Sequence, residues 1–289
     1  MSHGASSNMS RRNAIRSLAA LAALPAFPAL SRLQPYGQGW LDRIGLALIT
    51  VRGLAARDFE GTLQAVAKIG YRDLDMYIYE GRRSAKETRA ILDRAGLTCR
   101  SARVATPALY RGWDRSLDAA KELGARWITL ANVPWEERLT MRDWQELSEL
   151  FNRVGEAARR RELGFCYHNH DFELQPLEGK VPLDVMLAAT DAGLVKLQMD
   201  VYWVTKGGRD PASEITRLGS RVASLHLKDM DRTPERGITS VGAGMIDFTR
   251  ILGAAKLAGV ADYFVEEDAP KDPLAAARAG YTHLSALAP

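Results

Sequence analysis

The sequence predicts an α/β protein folded as a single (β/α)8 barrel with eight parallel strands, and three features predict it. Short apolar, β-branched runs begin near Ile44, Tyr71, Thr98, Arg126, Gly164, Val195, Val222 and Asp262, spaced by 27, 27, 28, 38, 31, 27 and 40 residues. That period is the length of one strand–helix unit, and parallel neighbours need such crossovers. Helical patterns fill every interval, with no linker, low-complexity tract or charge block between them. The 258 residues beyond a short leader match the roughly 250 that such a barrel uses as one domain. No Gly-x-Gly-x-x-Gly follows the first strand, so the signature of an open dinucleotide-binding sheet is missing.

Residues 1–31 form the leader. Ser10-Arg11-Arg12-Asn13-Ala14-Ile15-Arg16 resembles a twin-arginine export signal, and it runs into an apolar stretch, Leu18 to Leu30, too short and too proline-broken to span a membrane. Ala29 and Ser31 are small residues at cleavage-site spacing, so the cut is expected before Arg32, leaving residues 32–289 as the barrel domain. The expected destination is the periplasm, reached by a chain already folded. The whole chain carries 39 Lys+Arg against 35 Asp+Glu; losing Arg11, Arg12 and Arg16 leaves 36 against 35. The basic pI therefore belongs largely to the leader, and the charge pattern of a nucleic-acid partner is absent. No membrane segment is expected after the leader, and the expected partner is a small-molecule substrate, with a homo-oligomer left open.

Past the leader, the first strand near Ile44 leads to a helix over Asp58–Ile69, closed by Gly70. The strand from Tyr71 precedes a helix over Ser84–Ala95, where Ser84 and Glu87 have capping-box spacing. The third and fourth units pair the strands at Thr98 and Arg126 with helices over Trp113–Leu123 and Met141–Arg161. The fifth and sixth pair Gly164 and Val195 with Leu183–Ala189 and Pro211–Leu218, and the last two pair Val222 and Asp262 with Asp247–Ala258 and Pro273–Leu287. Gly70, Gly96, Gly124, Gly193 and Gly259 fall where helix C-termini favour a left-handed residue. Cys99 and Cys166 lie in apolar runs of strands that are not neighbours, so two buried free thiols are expected rather than a disulfide.

Chemistry in such barrels sits at the C-terminal ends of the strands. Beyond the leader there are four histidines, and three of them, His168, His170 and His226, fall at strand ends; only His283 lies in a helix. The fifth strand ends Cys166-Tyr167-His168-Asn169-His170-Asp171-Phe172-Glu173, and alternation places His168 and His170 on one face and Asn169 on the other. The sixth ends Gln198-Met199-Asp200, the seventh His226-Leu227-Lys228-Asp229, and the eighth Phe264-Val265-Glu266-Glu267-Asp268. Only one of Glu266 and Glu267 can face inward, and Glu266 continues the Phe264 face. Singly, these are core histidines, turn caps or solvated rims. Together they supply His168 or His170, Asp200, His226 and Glu266, a mixed imidazole and carboxylate set that suits one divalent Mn, Co or Zn ion better than Mg or Ca. Val241-Gly242-Ala243-Gly244, after the seventh strand, reads either as a phosphate cradle or as a flexible turn into the helix capped by Asp247. Trp203 offers either a platform for a sugar face or an ordinary packed ring.

These motifs resemble the xylose isomerase-like TIM barrels of the sugar phosphate isomerase/epimerase group, most specifically at residues 167–173, Met199-Asp200-Val201-Tyr202-Trp203, 226–229, 241–248 and 264–268. The resemblance implies one metal held at the ends of strands five to eight, commonly by Glu, Asp, His and Glu. The last three carry over to Asp200, His226 and Glu266, whereas His168 stands where the group commonly has Glu. His168 is accordingly expected on the metal, with His170 beside it or on the substrate.

The resemblance further implies a divalent-metal-dependent isomerase or epimerase that abstracts a proton next to the carbonyl of a sugar or keto-sugar. Glu266 is the expected acid–base group, His170, Lys228 and Glu173 are the candidates for the opposite face, and Trp203 and Asn169 are expected to contact substrate. A keto-sugar dehydratase or lyase on the same fold needs only one α-proton removed and one hydroxide expelled, and is the alternative. A non-catalytic periplasmic sugar-binding barrel is disfavoured, because recognition alone does not call for Asp200, His226 and Glu266. A DNA-processing metalloenzyme of the same fold would need a larger ligand set than four histidines furnish.

Overall fold

A computed structural model describes residues 44–78 and 83–287. The leader at 1–31 lies outside the described residues. Eight parallel strands close on themselves in the order β1 (Gly45–Ala47), β2 (Asp73–Tyr77), β3 (Thr98–Val104), β4 (Trp127–Leu130), β5 (Gly164–His168), β6 (Val195–Asp200), β7 (Val222–Leu227) and β10 (Asp262–Val265), which pairs back onto β1. Two further short strands, β8 (Asp229–Met230) and β9 (Ile238–Thr239), form an antiparallel hairpin after β7. Each barrel strand begins within two residues of its expected start, because burial on both faces gives such strands nearly continuous apolar runs.

The main helices are α2 (Phe59–Ile69), α3 (Ala85–Ala95), α5 (Trp113–Glu122), α6 (Met141–Arg160), α7 (Pro182–Ala189), α9 (Pro211–Leu218), α10 (Phe248–Ala258) and α11 (Pro273–Leu287). Their starts are fixed by side chains. Asp58, Asp210 and Asp247 accept from the backbone three residues on, and Ser84–Glu87 forms the reciprocal capping box. Three short helices at the strand ends, α1 (Arg52–Arg57), α4 (Pro107–Tyr110) and α8 (Val201–Lys206), escape the periodicity because they span fewer than two turns. Gly193 does not terminate a helix as expected. α7 stops at Thr190, and Gly193 instead donates to Asp191 Oδ1 (2.6 Å) in the turn that leads to β6.

Helix α6 lays Trp144, Phe151 and Val154 against the outside of β5, where Phe151 meets Phe165 and Tyr167 at 5.7 and 5.4 Å between ring centroids. Burying such rings stabilises by roughly 1.5–3 kcal/mol each. Deep in the barrel Asp262 receives Trp127 Nε1 (2.9 Å) and pairs with Arg100 (3.0 Å), tying β10 to β3 and β4. This end of the barrel carries stability, which leaves the opposite end for chemistry. Cys99 and Cys166 are buried and free. No helix among the described residues is long and apolar enough to cross a membrane.

Candidate metal centre

Register converges the strand ends. Asp200 on β6 pairs with His226 on β7, His226 pairs with Phe264 on β10, and His168 on β5 pairs with Gln198 on β6. His168, Asp200, His226 and Glu266 are all buried, and each offers one ligand-type atom within 4.8 Å of the others. His168 Nε2 lies 4.0 Å from Asp200 Oδ2, and His226 Nδ1 touches Glu266 Oε2. Lys228 is driven inward by the same alternation, its Nζ 3.2 Å from both Asp200 Oδ2 and Glu266 Oε1 and 3.0 Å from Asp268 Oδ1.

The electrostatics follow from burial and these pairings. Burial, then Arg103 and the other imidazoles, drive His168 well below the usual histidine range, so it is neutral. Burial would lower His226 as well, but the carboxylates of Glu266 and Asp75 outweigh it and push it up to about 9. Against burial, Lys228 and His226 hold Glu266 ionised, below the usual carboxylate range. Burial and the charge of Glu266 raise Asp200 against the pull of Lys228. Burial also raises Asp268 to about 6, at the partly open edge of the group.

The donor set fits a divalent ion. A neutral imidazole at His168 is the ligating form, His226 would release its proton on binding an ion, and the two nitrogens and two carboxylate oxygens suit Zn, Mn or Co. Asp200 Oδ2 is buried and accepts no directed hydrogen bond. The Lys228 ammonium 3.2 Å away offsets its charge without an aligned hydrogen bond, which leaves that oxygen able to take an ion.

The other candidates divide. His170 sits over the cluster, its ring 5.1 Å from His168, stacked on Phe172 (5.3 Å, 10° between planes) and 5.5 Å from Trp203. Burial and then Lys228 push it down to about 3, and its Nδ1 is buried without a hydrogen-bond partner. Trp203 is half-buried, with Lys228 Nζ 5.5 Å from its ring centre, so it walls the same space. Asn169 and Glu173, expected near substrate, are committed elsewhere. Asn169 Oδ1 accepts from Asp200 N (3.1 Å) and its Nδ2 donates to His170 O (3.3 Å), strapping β5 to β6. Glu173 accepts from Tyr167 OH (2.5 Å) and from His170 N (2.8 Å), and burial raises it to about 7. Its carboxylate supports the loop that carries His170.

The Gly242–Gly244 segment is neither a phosphate cradle nor a loose turn. Asp229 Oδ2 accepts from Gly242 N (3.0 Å) and Gly244 N (2.9 Å), and Oδ1 accepts from Met230 N (2.8 Å) and Ile246 N (3.1 Å), so its donors are taken by a buried carboxylate. A Cβ at Gly244 would lie 2.2 Å from Met230 O, which is why glycine stands there.

Two charged residues escaped the sequence reading. Asp75 on β2 is buried with Oδ2 2.8 Å from His226 Nε2, and Arg103 on β3 is buried with Nη1 3.3 Å from the same oxygen. Their signal was there: Asp73-Leu74-Asp75 and Ser101-Ala102-Arg103 alternate polar and apolar in strands that bury both faces.

Comparison with known proteins agrees with this architecture. A family model described as a xylose isomerase-like TIM barrel matches residues 63–287. Among curated relatives, an inosose dehydratase of Lacticaseibacillus casei is 26% identical over 147 residues, covering 45% of this chain and 48% of the relative. The match thus spans about half the length of that enzyme. A sugar phosphate isomerase/epimerase of Parabacteroides distasonis superposes with a TM-score of 0.75 at 24% identity, over 85% of this chain and 96% of its own. The IolI protein with a bound zinc atom superposes with a TM-score of 0.66 at 12% identity, over 85% and 97%.

Proposed function

The chain belongs to the xylose isomerase-like TIM barrel family, and we propose that it is a divalent-metal-dependent enzyme that removes a proton next to the carbonyl of a keto-sugar or cyclic keto-polyol and then expels a hydroxyl, a dehydratase-type lyase. The observation that carries the proposal is the buried convergence of His168, Asp200, His226 and Glu266 around a carboxylate oxygen with no directed donor. A divalent ion held by these four residues would supply Lewis-acid polarisation of the substrate carbonyl.

The remaining steps belong to the chain itself. His170 is neutral, and its buried Nδ1 lacks a hydrogen-bond partner, which leaves it available to accept the α-proton. The carbon–hydrogen bond breaks, its electron pair passes into the new double bond, and the carbon–oxygen bond one atom further on breaks with it. Lys228, kept charged by three carboxylates, donates a proton to the departing hydroxyl, which leaves as water. Trp203 covers a sugar face and excludes solvent.

We favour dehydration over the isomerase or epimerase reading on a structural ground. Epimerisation needs two free bases on opposite faces. Here Asp75, Asp200 and Glu266 all contact His226 or Lys228, Glu173 is engaged by Tyr167 and the backbone, and the fifth strand offers a neutral imidazole. Epimerisation is the second reading, favoured only by the unpartnered Nδ1 of His170 in a ring that feels the charge of Glu266. The test is to incubate metal-loaded protein with a panel of keto-inositols, keto-sugars and ketosides. A product lighter by one water is expected; an epimer of unchanged mass would select the second reading, and no reaction with any member would refute both. Export through residues 1–31 is also proposed, and normal export of an Arg11→Lys, Arg12→Lys variant would refute it.

A further inference from the structure

Strands β2 and β3 contribute none of the four ligand-type residues, yet they reach the same centre from the far side. Each imidazole of the cluster has one ring nitrogen turned inward and the other next to a polar group behind it. For His168, Nδ1 lies 3.1 Å from Gln198 Oε1, a carbonyl oxygen that can only accept, so Nδ1 carries the proton and Nε2 faces Asp200. Gln198 is oriented in turn, its Nε2 donating to Ser101 Oγ (3.3 Å), which meets Thr129 Oγ1 at 2.9 Å. For His226 the arrangement is reversed. Nε2 lies 2.8 Å from Asp75 Oδ2, at ion-pair distance though not in line for a hydrogen bond, while Nδ1 is the nitrogen against Glu266. Arg103 Nη1 lies 3.3 Å from the same Asp75 oxygen, and both side chains are buried.

We infer that Asp75, held by Arg103, is a positioning residue of the metal centre that fixes His226 with Nε2–H turned to β2 and Nδ1 presented to the ion. The inference rests on the metal reading of the four-residue cluster. Its consequence is that the two imidazole ligands are unlike. His226, backed by a carboxylate, is the stronger donor, whereas His168, backed by a neutral amide, is the weaker one and presents the opposite nitrogen. A partner behind a ligating histidine both fixes its tautomer and raises its basicity, and removing it typically costs 10–100-fold in metal affinity.

The test uses the full chain and zinc, read by competition with a chromophoric chelator and by long-range proton–nitrogen correlation of the imidazoles. In zinc-loaded wild type, His226 is expected protonated on Nε2 and His168 on Nδ1. Asp75→Asn keeps the shape but not the charge and should weaken zinc about tenfold; Asp75→Ala should weaken it about a hundredfold, with one zinc per chain at saturation in both. The unfolding midpoint of each metal-free variant separates a lost fold from a lost contact, and the wild-type spectrum stands whether or not a variant folds. A His226 protonated on Nδ1, or both variants within twofold of wild type, would overturn the inference. Wild-type protein that takes up no zinc, manganese or cobalt would remove the metal reading itself, a distinguishable result.

Discussion

Lys228→Met would expose how the site is charged. The ammonium lies 3.2 Å from Asp200 and Glu266, both fully buried, and 3.0 Å from the half-buried Asp268. Methionine fills the same volume but leaves two buried carboxylates facing one another. Removing one partner of a buried ionic group costs about 3–5 kcal/mol, and Asp268, being more open to solvent, adds little to that. At about 2–4 °C per kcal/mol for a domain of this size, metal-free Lys228→Met should melt roughly 6–20 °C below wild type. A divalent ion supplies the missing positive charge to the same two oxygens. Saturating zinc should therefore recover at least half of the loss, and the variant should bind zinc more tightly than wild type because no ammonium competes. Calorimetric melting with and without zinc at pH 7.5 measures both. An unchanged melting temperature in the metal-free variant, or an equal lift of both proteins by zinc, would refute the placement of Lys228 between the two candidate ligand carboxylates.

His170→Ala should retain the metal and lose turnover by at least roughly a hundredfold, whereas His168→Glu should keep the fold and shift ion preference toward harder ions such as Mg; metal analysis beside steady-state rates checks both, and metal loss in His170→Ala would exchange the two assignments. Glu173 titrates near 7 in the folded protein, above its ordinary value, because it is buried. The folded state therefore holds that proton more tightly than the unfolded chain. The stabilisation is complete below about pH 4.5 and lost as pH rises through 7, about 3 kcal/mol across the window. Glu173→Gln should flatten that slope in melting curves from pH 4 to 8, and an unchanged slope would show that Glu173 does not carry it.

The barrel was legible because its signal is redundant. Eight apolar runs, regular spacing and side-chain caps such as Ser84–Glu87 and Asp247 all point one way. The converging residues were legible for a related reason: His168, Asp200, His226 and Lys228 are polar residues at the ends of apolar strands, where topology places the site. What alternation could not reveal is which inward residues spend their hydrogen bonds on the protein itself. Asn169 and Glu173 looked available next to two histidines, yet one straps β5 to β6 and the other anchors a loop. Asp229 looked like the end of a motif, yet it orders four backbone donors across the Gly242–Gly244 segment. Asp75 and Arg103 carry a weaker signal, because alternation shows that they face inward but not that Asp75 meets His226 across the barrel.

The central claim is metal-dependent removal of a proton beside a carbonyl, and solvent exchange measures that event whether it ends in dehydration or epimerisation. Metal-loaded protein is held with a keto-inositol or keto-sugar in deuterated water, and deuterium at the carbon next to the carbonyl is followed by NMR in recovered substrate and product. Incorporation is expected with one equivalent of Zn, Mn or Co, falling at least roughly a hundredfold after chelation and in Glu266→Gln, and returning when metal is restored to the chelated wild type. Exchange that continues undiminished in protein shown to contain no metal would contradict the claim.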